Sequence, residues 1–176
     1  MTKDNSTWTQ HLIADIKRIE QLRKRFTLID KDHISWTETY IDNDTGNEWL
    51  YYRVDTCLQG GGYPILARQP LPDTQQLIRL SLFSQNDDEV FATCRTLVDN
   101  EQTKKIDFRA DLINALENIA DSQRQKKVIA LTGLDNALNR RETLGKTFEQ
   151  IIADAEYFKS IADRADKLKL NKRTNA

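Results

Sequence analysis

Proline and glycine are scarce in this chain, at 3 and 6 among 176 residues. A sandwich or barrel built from many tight turns needs more of both, so the shortage favours helices. Cysteine is scarcer still. Cys57 and Cys94 stand far apart in the sequence, which gives neither a disulfide framework nor a zinc-ligand pattern. The only histidines are His11 and His33, and neither has a cysteine or carboxylate at ligand spacing, so no metal is expected. No apolar run approaches the ~20 residues that cross a bilayer. Residues 1–10 are polar and lack the basic and apolar segments of a signal peptide. These absences lead to the expectation of a cytoplasmic protein that needs no cofactor.

A strong excess of one charge is missing too. The net charge of −1 gives no global reason to expect nucleic acid or a membrane as partner. The distribution is less even. From Asp30 to Asp55 there are seven acidic residues against Lys31 and Arg53; from Asp87 to Asp121 there are nine against four. From Ser122 onward the balance reverses, with twelve basic against seven acidic. Segregation of this kind can steer a partner of opposite sign, although a solvated face is also simply charged.

What is present is apolar periodicity. Trp8, Leu12, Ile16, Ile19, Leu22 and Phe26 recur at three- and four-residue spacing, which predicts a helix over 7–28 with Ser6 or Thr7 as its cap. The pattern then changes. Residues 34–41 and 48–54 are rich in β-branched and aromatic side chains, and Asp42 to Asn47 between them is dense in turn formers. This predicts a β-hairpin with Gly46 at the positive-φ position. Trp36, Glu38 and Tyr40 are expected to share one face of the first strand. Gly60-Gly61-Gly62 predicts left-handed backbone or a close approach, and Ile65 to Leu71 a short further strand.

Beyond Pro72 the sequence reads as helices only. One carries Leu77, Ile78, Leu80, Leu82 and Phe83. The next opens at Asn86 to Glu89 and turns Val90, Phe91, Cys94, Leu97 and Val98 inward, before a polar connection over 100–105. Others are expected over 106–119, 122–131 and 134–170, the last broken near Gly145, with a frayed tail over 171–176. The expected fold is α+β and mainly α. Residues 1–71 form an N-terminal helix and hairpin module, and residues 72–170 a stack of antiparallel helices packed with it as one unit.

The sequence offers little chemistry. Gly145-Lys146-Thr147 resembles the end of a phosphate-binding loop, but Arg140 stands where its first glycine belongs. The triple glycine lacks the spacing of a dinucleotide site. Glu38 and Glu48 invite a glycosidase-like reading as facing carboxylates across the hairpin, so a small hydrolase is one alternative. A helical adaptor or scaffold is another. The hairpin aromatics Trp36, Tyr40, Trp49, Tyr51 and Tyr52 suit stacking on bases, yet their acidic surroundings repel phosphate. Protein contact is the better use of such anchors.

Residues 34–40, the turn and Trp49 that follow, and Leu58 to Leu66 with its glycine triplet, bulky residue and proline, resemble a family of bacterial immunity proteins. Arg18 to Leu22 fits the segment that precedes this motif. The resemblance covers roughly residues 18–70. It implies neutralisation of a cognate toxin, a nuclease being one candidate, by tight stoichiometric binding in the cytoplasm. Such an inhibitor needs no catalytic residue. The expected partner-binding residues are Asp42, Asp44 and Glu48 as steering charges with Tyr51 or Tyr52 as anchor. The helix start at Asp87, Asp88 and Glu89 is the competing patch.

Overall fold

The computed structural model describes residues 10–56 and 61–170. The chain is α+β: a five-stranded antiparallel sheet with a short helix, followed by a stack of helices. It divides into two compact units. The first comprises residues 1–73 and 84–92, and the second 74–83 and 93–176.

In the first unit, strand β1 (Leu12–Ile13) precedes helix α1 (Ile16–Arg25), and strands β2 (Thr27–Asp32), β3 (Thr37–Ile41), β4 (Glu48–Val54) and β5 (Tyr63–Arg68) follow. The sheet order is β1-β5-β4-β3-β2. The single helix expected over 7–28 is therefore divided. Asp15 takes the cap, accepting a hydrogen bond from the Arg18 N–H at 2.8 Å, so the helix starts at Ile16. Leu12, which fits the helical spacing, and its neighbour Ile13 pair instead with Ala67 and Leu66. Beyond the helix, Thr27 to Asp32 pairs with β3 as an edge strand that the sequence reading did not anticipate. Trp8 lies outside the described residues, as do Cys57, Gly60 and the tail from 171.

The hairpin of β3 and β4 forms as expected, with Gly46 at φ +72 in its turn. Alternation sorts its side chains. Tyr40, Trp49 and Leu66 lie on one face and form a core with Ile13 and with Ile19, Leu22 and Phe26 around α1; Tyr51 packs against its edge. Trp36 is not on that strand. It belongs to the turn between β2 and β3. Gly61 and Gly62 have φ of +76 and +73, as the glycine triplet predicts.

The helices α2 (Thr74–Phe83), α3 (Asp87–Lys104), α4 (Arg109–Glu117), α5 (Ser122–Thr132) and α6 (Phe148–Leu170) complete the chain. In the second unit α6 packs against α4 and α5, and α2 against the same pair. Cys94 is fully buried, and burial pushes its thiol up to about 12, so it behaves as a small hydrophobe. The connection expected over 100–105 is mostly the last turn of α3. The long C-terminal helix begins only at Phe148. Arg141 and Lys146 both pair with Asp154 and hold residues 134–147 in irregular backbone. Arg109, wholly buried, is matched by a two-pronged bond to Glu101 at 2.6 and 2.8 Å. No helix among the described residues is long and apolar enough to cross a membrane.

Candidate functional site

Asp32, the last residue of β2, builds the turn that follows. One of its carboxylate oxygens accepts the Ile34 N–H at 2.7 Å, and the other accepts the Ser35 hydroxyl at 2.6 Å. The Ser35 bond first, and then the Ile34 bond, hold this carboxyl below its ordinary value. So fastened, the turn presents two large apolar side chains to solvent: Ile34 is 93% exposed and Trp36 78%. Trp36 has φ +56, in the left-handed region that a bulky residue rarely adopts. A backbone of that kind costs ~1–2 kcal/mol. Neither burial nor core packing compensates at so exposed a residue, and such strain concentrates at functional positions. Leu28 and Ile29 on the edge strand, about half exposed, add apolar surface to the same hairpin.

Beside this tip lies a cavity of about 280 Å³, lined by Arg23, Lys31, Trp36, Glu38, Tyr51 and Arg53 among others. Glu38, only 8% exposed, gathers the polar groups around it. It accepts hydrogen bonds from Arg23, from the Tyr40 hydroxyl at 2.5 Å and from Lys31 at 2.9 Å. Burial alone would push its carboxyl up. The Tyr40 and Lys31 bonds and the Arg23 charge outweigh that and hold it below its ordinary value. Arg23 also stacks over the Tyr51 ring, 4.4 Å from its centre. Arg53 donates to the Gly61 and Gly62 carbonyls at 2.5 and 2.9 Å. The left-handed glycines thus present their carbonyls to an arginine of the cavity wall.

The expected partner-binding residues do not form one surface. Asp42 is 3% exposed, and its carboxylate is occupied inside the hairpin turn by the Asp44 N–H at 3.1 Å and the Thr45 hydroxyl at 2.6 Å. Asp44 is exposed and pairs with Arg25 at 3.2 Å. Glu48 and Tyr52 share the sheet face opposite to Tyr51, because residues alternate along β4. Asp87 is exposed at the start of α3. Asp88 accepts the Ala14 N–H at 3.1 Å, while Glu89 accepts the His11 N–H at 2.5 Å and the Ser84 hydroxyl at 2.6 Å. Asp88 and Glu89 are fasteners of β1 to the helix start rather than free steering charges.

The paired-carboxylate reading fails on register. Glu38 stands opposite Tyr51, and Glu48 opposite Ile41, so the two glutamates point to opposite faces of the sheet. The residues that sequence reasoning missed are Ile34 and Lys31. The run Asp30-Lys31-Asp32-His33 ahead of Ile34 was the available turn signal. The chain was compared with protein-family models, with curated proteins and with solved structures, and none of them matches.

No group of three or more histidine, cysteine, aspartate or glutamate side chains among the described residues is placed to hold a metal. A second cavity of about 320 Å³, in the helical unit, is lined by Lys105, Arg140, Arg141, Lys146, Glu101 and Phe158 among others. Its charges are largely matched internally: Arg141 bridges Asp107 and Asp154, and Lys146 reaches Asp154. Gly145 is a turn residue at φ +77, and Lys146 is engaged with a carboxylate, an arrangement unlike a phosphate loop.

Proposed function

We propose that this chain is an immunity protein, which neutralises a cognate bacterial toxin in the cytoplasm by stoichiometric association rather than by catalysis. The observation that carries the reading is Trp36, strained and exposed on a turn fixed by Asp32. A solvent-facing tryptophan beside Ile34 supplies the rigid aromatic anchor on which protein interfaces depend. The resemblance of residues 18–70 to immunity proteins supplies the class of partner, and the tip lies within that stretch. The hydrolase alternative has lost its facing glutamates.

The interface on this reading is the β2–β3 tip, at the opposite end of the β3–β4 hairpin from Asp42 and Asp44. The test screens the products of the genes flanking this one for a toxic domain. Cells producing that domain survive when this chain is co-produced, and the purified pair forms a 1:1 complex. Absence of both protection and complex overturns the proposal. Trp36→Asn sharpens the test, because asparagine tolerates left-handed backbone. The variant keeps or raises the urea midpoint, yet binds the toxin roughly 30-fold more weakly, about 2 kcal/mol. Unchanged affinity would move the interface elsewhere.

A further inference from the structure

The cavity beside Trp36 has a sign. Its lining includes Arg23, Lys31 and Arg53 against Asp32 and Glu38. The carboxylates are engaged already: Asp32 by its own turn, and Glu38 by Arg23, Lys31 and Tyr40. Asp32 is exposed, and Lys31 and Arg23 both reach further into solvent than Glu38. The Lys31 side chain is 47% exposed and that of Arg23 32%, whereas that of Glu38 is 11% exposed. An ammonium carries three donors and a guanidinium five. Among the described residues the Lys31 ammonium pairs with Glu38 alone. A ligand entering from solvent therefore meets the Lys31 ammonium and the Arg23 guanidinium beside the turn-bound Asp32 carboxylate, in a lining with three basic groups against two acidic ones.

The size of the cavity narrows the ligand. Pockets for drug-sized molecules run from ~300 to 1,000 Å³. At about 280 Å³ this one lies at the bottom of that range and has room for an inserted side chain. Its rim is apolar, with Trp36 and Ile34 largely exposed. The adjoining edge strand is poorly suited to pairing with a partner strand. Its register shifts between Leu28 and Asp30, and it carries Asp30, Lys31 and Asp32, both of which blunt an edge. Side-chain insertion suits this surface better than strand pairing does.

We propose that this cavity receives a glutamate or aspartate side chain of the partner protein, flanked by apolar residues that pack on Trp36 and Ile34. This rests on the protein-binding reading above and names what the partner presents. Lys31 and Arg23 would then bridge two carboxylates, their own Glu38 and the incoming one. Tyr51 forms part of the wall rather than the central anchor.

The test needs no toxin. The full chain, labelled with ¹⁵N, is titrated with the capped peptides acetyl-Leu-Glu-Leu-amide, acetyl-Leu-Gln-Leu-amide and acetyl-Leu-Lys-Leu-amide. The glutamate peptide is expected to shift the Trp36 indole N–H and the backbone amides of residues 31–38 saturably, at least about 5-fold more tightly than the glutamine peptide. In the double variant Lys31→Glu, Arg53→Glu the preference passes to the lysine peptide. Equal response to all three peptides, no saturable shift at the tip, or tighter binding of a single-stranded oligonucleotide at the same signals would each overturn the proposal. If the peptides fail while the toxin still binds through Trp36, only the acidic recognition falls. If the peptides discriminate but no toxin binds, it is the immunity reading that falls.

Discussion

Gly62 and Gly46 share nearly the same φ, +73 and +72, yet differ in what surrounds them. A Cβ on Gly62 would stand 2.0 Å from the Val54 carbonyl oxygen, whereas one on Gly46 meets nothing within 4 Å. Gly46→Ala should therefore cost only the left-handed strain, about 1–2 kcal/mol. Gly62→Ala adds a backbone collision and should cost about 4 kcal/mol or more. Urea denaturation of the two variants checks the ordering; equal losses would contradict it. Glu38 makes a second residue-scale prediction. Its folded carboxyl titrates below its ordinary value of 4.5. The folded state thus holds the ionised form more tightly than the unfolded chain does. That contribution is complete above the unfolded value and is lost as pH falls through the folded one. The gap in urea midpoint between the native chain and Glu38→Gln should narrow as pH falls below the ordinary carboxyl value of 4.5. A gap that stays constant would show that the Glu38 charge contributes nothing.

Among the elements, those whose local signals agree with their packing were legible in the sequence. The β3–β4 hairpin, with its turn formers around Gly46, is the clearest case. Helix α3, with acids at its start and Val90, Cys94, Leu97 and Val98 buried, is another. Elements decided by partners distant in sequence were not. Leu12 fits a helical stripe, but Glu89 takes the backbone N–H groups of His11 and Leu12, and β5 pairs with the segment. Long-range competition of this kind leaves no local trace. The start of α6 was legible and overlooked. The Thr147 hydroxyl accepts the Gln150 N–H at 3.3 Å, and the Gln150 side chain accepts the Thr147 N–H at 2.9 Å. That reciprocal pair is a capping box, and its T-x-x-Q spelling stands in the sequence. Thr147→Ala should destabilise the helical unit by about 1 kcal/mol. Gln150→Ala added to it should cost less than the sum of the separate losses, because the two residues share one motif. Urea denaturation followed by circular dichroism checks both; strict additivity would contradict the shared cap.

For the whole molecule, charge counting along the sequence does not reveal which charges folding engages. Seven acids between Asp30 and Asp55 suggested an acidic face. Folding spends many of them internally. Glu38, Asp42 and Asp55 are buried, Asp32 fixes a turn, and Asp44 is paired with Arg25. What reaches solvent at the β2–β3 tip is a mixture: the apolar Ile34 and Trp36, the basic Lys31, and the exposed carboxylates of Asp30 and Asp32. Trp36 was recognised in the sequence as an aromatic of interest but assigned to a strand face. Its left-handed turn position depends on the Asp32 side chain, which spacing alone does not reveal. The most direct test of the resulting account is hydrogen–deuterium exchange of the full chain, alone and with the toxin that the proposal requires. The account predicts a 1:1 complex in which the amides of residues 27–37 become protected. Failure to form a complex, or a complex that leaves exchange in residues 27–37 unchanged, would contradict it.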